Sequence, residues 1–237
     1  MIIVNWNTEW APIRSSRASI LRDRTRAFDP EVVCFTEAYL DFWDESGYVI
    51  SAEADYGYQI VPGRRKVMLW SKRPWHNVVK QPSDAMPPGR YVYGETETSL
   101  GMLGVHGVCI PWADAHVRTG EKNRQRWEDH LAYLSALPGA LDEQESELQA
   151  LVGDFNQRIP RKRVPVHVYE ALQNALSGRF SSLTPGIISP VEQQTIDHVA
   201  ATEQLSASWI QSISNIGPDG KKLSDHFGIA ANLEPTF

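Results

Sequence analysis

Long apolar runs are absent from this chain of 237 residues, and none of its hydrophobic stretches approaches the roughly 20 residues that a membrane-crossing helix requires. A basic leader is missing as well, because the apolar run Ile2-Ile3-Val4 starts straight after Met1. A soluble, cytoplasmic protein with no membrane contact is expected. Cysteine is scarce: Cys34 and Cys109 each sit inside a separate apolar run, which supplies neither a disulfide framework nor a zinc site. Two buried free thiols are expected. Low-complexity tracts are lacking, so nothing marks a linker, and the 42% apolar content suits one domain over residues 1–237. Nor is there an excess of positive charge. Lys and Arg number 23 against 29 Asp and Glu, a formal charge of −6, which excludes a protein that coats nucleic acid through bulk charge. Acidic runs lie at Asp41 to Asp55 and Asp142 to Glu147, and basic runs at Arg14 to Arg26, Arg64 to Arg73, Arg118 to Arg126 and Arg158 to Arg163. A surface patched in this way can still hold a polyanion in one groove.

What is present is a sheet-rich pattern interrupted by a few helices. Ile2 to Trp6 reads as a first strand, Ser15 to Phe28 as a helix stopped by Asp29-Pro30, and the β-branched run Glu31 to Thr36 as a buried strand with Glu37 at its end. Tyr58 to Val61, Lys66 to Ser71, Tyr91 to Glu97 and Leu103 to Ile110 continue as strands. Trp127, Leu131 and Leu134 recur at helical spacing within Glu121 to Leu137, where Pro138-Gly139 is expected to end the helix. Leu148 to Val152 reads as a strand, Val166 to Leu176 as a helix capped by Gly178, and Thr195 to Ala201, Ser208 to Ser214 and Phe227 to Leu233 as closing strands. The pattern alone predicts an α/β or α+β fold.

Five polar motifs follow or interrupt these apolar runs: Trp6-Asn7, Thr36-Glu37, Gly153-Asp154-Phe155-Asn156, Ile196-Asp197-His198 and Ser224-Asp225-His226. Local folding has no need of an Asn, a Glu, an Asp-x-Asn, an Asp and an Asp-His at five strand ends, so one shared site is the economical explanation. In this order the motifs resemble the endonuclease/exonuclease/phosphatase superfamily over Ile2 to about Leu233. The resemblance implies a four-layer α/β sandwich, with two packed, mostly antiparallel β-sheets flanked by helices. It also implies a metal-dependent phosphoric ester hydrolase using Mg²⁺, with Mn²⁺ as a substitute ion.

Hydrolysing a phosphodiester requires neutralised phosphoryl oxygens, an oriented water and help for the leaving oxygen, which a hard cation with oxygen ligands supplies in large part. By resemblance Glu37 is the principal metal ligand, supported by Asn7 and Asp225. Asp154 positions or deprotonates water, Asn156 donates to a phosphoryl oxygen, and His226 stabilises the transition state or transfers a proton with Asp197 as its carboxylate partner. His198, one residue beyond Asp197 on a strand, faces the other way and reads as structural. His106, within Gly-Val-His-Gly-Val, resembles a strand histidine that contacts the scissile phosphate. One departure concerns it: the related pattern has a glutamate partner just before the strand Val67 to Trp70, where this chain has Arg64-Arg65-Lys66. That basic cluster reads either as a phosphate grip or as a solvated turn.

Arg158, Arg161, Lys162 and Arg163 follow the Asp154/Asn156 segment directly and are candidates for binding substrate phosphate. Trp10, Trp75 and Trp112 fall on expected loops where a ring could stack on a base, and His116 is expected on the surface. The functional expectation is a nuclease, endo- or exonucleolytic, acting on DNA or RNA without an obligate protein partner. The alternative is a phosphatase or phospholipase-like hydrolase of a phosphorylated small molecule or lipid headgroup.

Overall fold

Residues 1–236 are described in the computed structural model. The elements in the first third of the chain are β1 (Ile2–Asn7), α1 (Ser16–Arg26), β2 (Val32–Tyr39), β3 (Tyr48–Ser51), β4 (Arg64–Ser71) and β5 (Trp75–Val79). Then come β6 (Tyr91–Thr98), β7 (Gly101–Cys109), α2 (Glu128–Asp142), β8 (Leu148–Asp154) and α3 (Val166–Leu176). The last are β9 (Ser181–Ser182), β10 (Ile187–Ile188), β11 (Gln193–Gln194), β12 (Asp197–Ala201), β13 (Leu205–Ile213) and β14 (Gly228–Pro235).

Two six-stranded sheets form, in the orders β13-β14-β1-β2-β4-β3 and β5-β6-β7-β8-β12-β9, while β10 and β11 pair separately. Each large sheet is antiparallel except for one central pair, β1 with β2 and β7 with β8. Both parallel pairs need a crossover, which α1 and α2 supply. The two sheets therefore repeat one plan, and no residue pattern in the sequence shows it.

Side chains alternate along each strand, so every sheet has an inner and an outer face. Ile3, Cys34, Leu69 and Ile229 of the first sheet meet Val105, Val152 and Val199 of the second in the central core. On the outer face of the first sheet Val4, Trp6, Phe35 and Met68 pack on Ala18 and Leu21 of α1. Tyr91, Val108 and Leu151 on the outer face of the second are covered by Tyr133 and Leu137 of α2 and Leu172 of α3. The result is the four-layer sandwich, with one helical layer on each side. Both cysteines are buried free thiols on the inner faces.

The sheets approach closely where side chains are smallest. A Cβ on Gly107 would stand 2.7 Å from Val67 Cγ1 of the facing sheet; within the second sheet, one on Gly153, at φ +146, would stand only 1.9 Å from the Val108 carbonyl oxygen. Asn5, fully buried, then bridges the layers by donating from Nδ2 to the carbonyls of Gly153 (3.0 Å) and His198 (3.3 Å).

Several expectations need correcting. Tyr58 to Val61 forms no strand, and the exposed β3 and the edge strand β5 lie where no strand was expected. Trp75 opens β5 with its indole donating to the Tyr48 carbonyl, so it is no loop residue. Pro138 lies inside α2, which begins at Glu128. Burial of Leu137, Ala140 and Leu141 against the second sheet outweighs the helix-breaking cost of proline. Arg64, Arg65 and Lys66 belong to β4 and make no turn, and His116 is buried with its ring 4.3 Å from that of Tyr58. Among the described residues no helix is long and apolar enough to cross a membrane.

Candidate active site

Five chain segments converge at one end of the space between the sheets. β1 ends at Asn7, β8 at Asp154, and β12 begins at Asp197 directly opposite Asp154. The loop before β14 brings Asp225 and His226, and it is tethered to β1 at two points and braced within itself by a third bond. Ser224 Oγ donates to the Asn7 carbonyl (2.7 Å), the His226 amide donates to Ser224 Oγ (3.1 Å), and Trp6 Nε1 donates to the His226 carbonyl (3.0 Å).

Glu37 arrives differently from the expected strand end, since it lies within β2. Val33 and Phe35 face the outer layer, and strict alternation would send Glu37 after them. The backbone there is left-handed instead, at φ 49, a conformation costly for a residue with a Cβ. Its carbonyl is held by Thr8 Oγ1 at 2.7 Å and by the Trp10 amide at 2.8 Å. The carboxylate is thereby brought near enough to Asp154 and Asp197 to raise the pKa of each, and it accepts a hydrogen bond from Lys66 Nζ.

Asp154 is the hub. Its Oδ2 accepts from Asn7 Nδ2 and from Asn156 Nδ2, both at 3.2 Å, and its Oδ1 accepts from the Asn156 amide at 2.9 Å. Asn156 reaches back through a left-handed bend at φ 53, and its Nδ2 also donates to the Ile110 carbonyl. A tight turn, and not strand alternation, thus pairs these two residues. His226 Nδ1 lies 2.5 Å from Asp197 Oδ2, and Nε2 lies 3.7 Å from Asp225 Oδ1. Asp225 itself is exposed.

The electrostatics follow from burying acids together. Burial, then Asp197 and Glu37, push Asp154 up to about 7, against the opposing pull of His226 and the Asn156 amide. Asp197 is raised by burial as well, with His226 opposing. Burial disfavours a charged His226, but the Asp197 carboxylate overrides it, and the pair is held as imidazolium and carboxylate. The site carries more carboxylate than its cations, His226 and Lys66, neutralise. Donor atoms of Asp154, Asp197 and His226 lie within 4.8 Å of one another, and the buried Asp197 Oδ1 has no hydrogen-bond partner. Oxygen-rich, negatively charged and incompletely satisfied, this acid cluster, with Glu37 and Asp225 at its edge, is a neighbourhood that fits a hard divalent cation.

His106 is not brought to this group. It faces the helical layer, fully buried, with Nε2 donating to Gln149 Oε1 and Nδ1 accepting from the Tyr91 hydroxyl, both at 2.8 Å. Strand phase is the reason: the inner-face position level with Asp154 belongs to Cys109, and His106, an odd number of residues away, points to the other face. His198 lies on the face opposite Asp197, with Nε2 donating to the Gln157 carbonyl and Nδ1 accepting from Thr184 Oγ1, both at 2.9 Å. Burial pushes His106, His130 and His198 each down to about 4. Their ring signals are expected to stay flat from pH 8 to 5 in an NMR titration, and a midpoint near 6.5 for His106 would contradict this burial. Because these folded-state values are depressed, the stabilisation is present above the unfolded value of about 6.5. It is lost as pH falls toward 4, on the order of 3 kcal/mol per histidine.

The cations Arg158, Arg161, Lys162 and Arg163 are exposed on the segment that leaves Asn156. The first three line a cavity of about 530 Å³ with Glu192 and Gln194, just before Asp197 in the chain. The acidic run Asp142 to Glu147 precedes β8 and so stands at the opposite end of that strand from Asp154. Asp44 and Glu45 of the other acidic run are paired with Arg22 and Arg26.

A fold with two such sheets and this polar cluster at their shared end defines a class. The model of the Endonuclease/Exonuclease/phosphatase family matches residues 4–226, and the chain belongs to that family of phosphoric ester hydrolases. Solved structures agree on the fold. A humanized TDP2 of D. rerio aligns with a TM-score of 0.70 at 11% identity, covering 99% of this chain and 98% of that one. An AP endonuclease from Archaeoglobus fulgidus gives 0.68 at 13%, covering 98% of each chain. A beta toxin from Staphylococcus aureus, a mutant with bound magnesium ions, gives 0.65 at 13%, covering 97% and 98%. No curated protein matches the chain by sequence.

Proposed function

We propose that this chain is a Mg²⁺-dependent phosphodiesterase that hydrolyses DNA or RNA. The observation that carries this reading is the placement of charge. Arg158, Arg161 and Lys162 stand on the exposed chain that leaves Asn156, while the acidic run Asp142 to Glu147 lies at the far end of β8. Glu37, Asn7 and Asp225 are the residues that would hold the ion, with Mn²⁺ as a substitute. When bound it neutralises charge on the phosphoryl group and favours attack by water.

The chain's own groups supply the rest. Asp154, with a carboxyl poised at about 7, accepts a proton from the attacking water, and Asn7 and Asn156 fix its orientation. The Asp197 carboxylate holds the Nδ1–H side of His226 and leaves Nε2 free to donate to a phosphoryl or leaving oxygen. Asn156 Nδ2 is a second donor once it turns from the Ile110 carbonyl. Arg158, Arg161, Lys162 and Arg163 contact neighbouring phosphates, and His106 takes no part.

The test is EDTA-sensitive hydrolysis of supercoiled plasmid, single-stranded oligonucleotide and bis-p-nitrophenyl phosphate in Mg²⁺. Cleavage of nucleic acid is expected, and changing Arg158, Arg161 and Lys162 to Gln should flatten the salt dependence, by about one unit of slope for each cation that touches a phosphate. Hydrolysis of the small diester alone would overturn the nucleic-acid reading.

A further inference from the structure

A cavity of about 430 Å³ opens beside the acid cluster, with Trp10, Tyr56, Lys66, Arg90 and Trp112 among its walls. Three links fix it to the site. Lys66 pairs with Glu37, and the Trp10 amide donates to the Glu37 carbonyl at 2.8 Å. Trp112 stands two residues after Ile110, whose carbonyl accepts from Asn156.

Two of the lining side chains are left largely unengaged by the protein. Arg90 is only 2% exposed, yet its guanidinium has one protein acceptor, the Cys109 carbonyl at 3.4 Å, and forms no ion pair among the described residues. It also borders a second cavity with Asp129 and Glu128, but those carboxylates serve Arg124. A buried cation is costly without an anion, so a guanidinium with free donors at a cavity wall calls for one. Its strand position places it two inter-strand spacings from Asp154, about 10 Å across the sheet. Trp112 is the second. Trp10 has its faces taken, by Arg64 at 4.8 Å and by stacking on Tyr56 at 6.0 Å. Trp112, by contrast, is 43% exposed and meets no ring or cation among the described residues.

We infer that this cavity is a nucleotide subsite, in which Trp112 stacks on an unpaired planar base while Arg90, aided by Lys66, holds the phosphate attached to it. The subsite rests on the reading of the neighbouring cluster as a phosphodiesterase centre and narrows its substrate: the strand must present a base that is free of its pairing partner. Base stacking on one aromatic platform and a charge-assisted contact to phosphate are each sequence-tolerant, so the subsite selects single-stranded form over sequence.

The test is binding, separate from turnover. Metal-free protein is titrated calorimetrically with adenosine 5′-monophosphate, with adenosine and with ribose 5-phosphate. The monophosphate is expected to bind about tenfold or more tightly than either half. Trp112→Ala should lower its affinity fivefold or more, toward the value for ribose 5-phosphate. Arg90→Met should lower it toward the value for adenosine, and Arg90→Lys should restore much of the loss; circular dichroism melting checks that each variant folds. The dinucleoside monophosphate ApA serves as a further probe. If it binds as tightly as the mononucleotide, the phosphate is a diester within a strand; if only the mononucleotide binds, it is a strand terminus, and either result supports the subsite. A monophosphate that binds no better than ribose 5-phosphate, or that binds all three variants as it binds the wild type, overturns it. The nuclease reading instead fails on the plasmid and oligonucleotide assay, so the two can fall independently.

Discussion

Glu37→Gln is expected to lower Mg²⁺-dependent turnover by about 10³-fold while the protein melts within a few degrees of the wild type. The substitution removes one negative charge and keeps volume, shape and one oxygen. It asks nothing new of the left-handed backbone, whose carbonyl stays anchored by Thr8 and Trp10. Stability is therefore little touched, because the ion pair with Lys66 sits at a partly open rim. Turnover is touched strongly, because the carboxylate is one of the two charged members, with Asp225, of the set proposed to hold the cation. The substitution also relieves some of the charge that raises Asp154, so its carboxyl should titrate lower in the variant. Wild-type rates with Glu37→Gln, measured on oligonucleotide across a range of Mg²⁺ concentrations, would sink this assignment.

His226→Ala is expected to cost about 10³- to 10⁴-fold in turnover, the upper part of what a positioned proton donor contributes. Its ring is the cation closest to Asp197, and its removal leaves two buried carboxylates facing each other without it. Asp197→Asn should reproduce most of the loss, since the amide cannot hold the imidazolium. His198→Ala makes the instructive contrast. Its ring satisfies Thr184 and the Gln157 carbonyl deep in the outer layer, so its loss should cost about 2–3 kcal/mol of stability. Turnover per folded molecule should change little. Denaturant titrations beside single-turnover rates separate the two, and the opposite pairing of effects would mean that the histidines have exchanged roles.

Much of this was legible in the residues. α3 runs over Val166–Leu176 as its periodicity suggests, and the short strand-like apolar runs became β1, β6, β7 and β8. Asn7, Asp154 and Asp197 could be found because each sets a polar group at the end of an apolar strand, and His226 because it stands just before one. What stayed hidden has physical reasons. Strand alternation is too coarse to say which histidine of a sheet faces the site, and in Met102 to Ile110 the level with Asp154 is held by Cys109 while His106 satisfies Gln149 and Tyr91. The reach of Glu37 depends on one left-handed residue, which has no signature when that residue is neither glycine nor asparagine. Arg90 follows the Pro87-Pro88-Gly89 break like any surface cation, and only the packed structure shows it buried without a counter-charge.

The strand order of the first sheet has a consequence for when the enzyme comes into being. Its neighbouring strands β1 and β14 come from opposite ends of the described chain, joined further by the Met1 amine donating to the Leu233 carbonyl at 2.8 Å. The second sheet, by contrast, is drawn wholly from residues 75–201. Contacts of such long sequence separation form late. A chain emerging from the ribosome therefore carries Asn7, Glu37, Asp154 and Asp197 for some time before the segment bearing His226 follows. Until β14 docks beside β1 the acids have no imidazole, so the polar cluster is completed only with the last strand to be made.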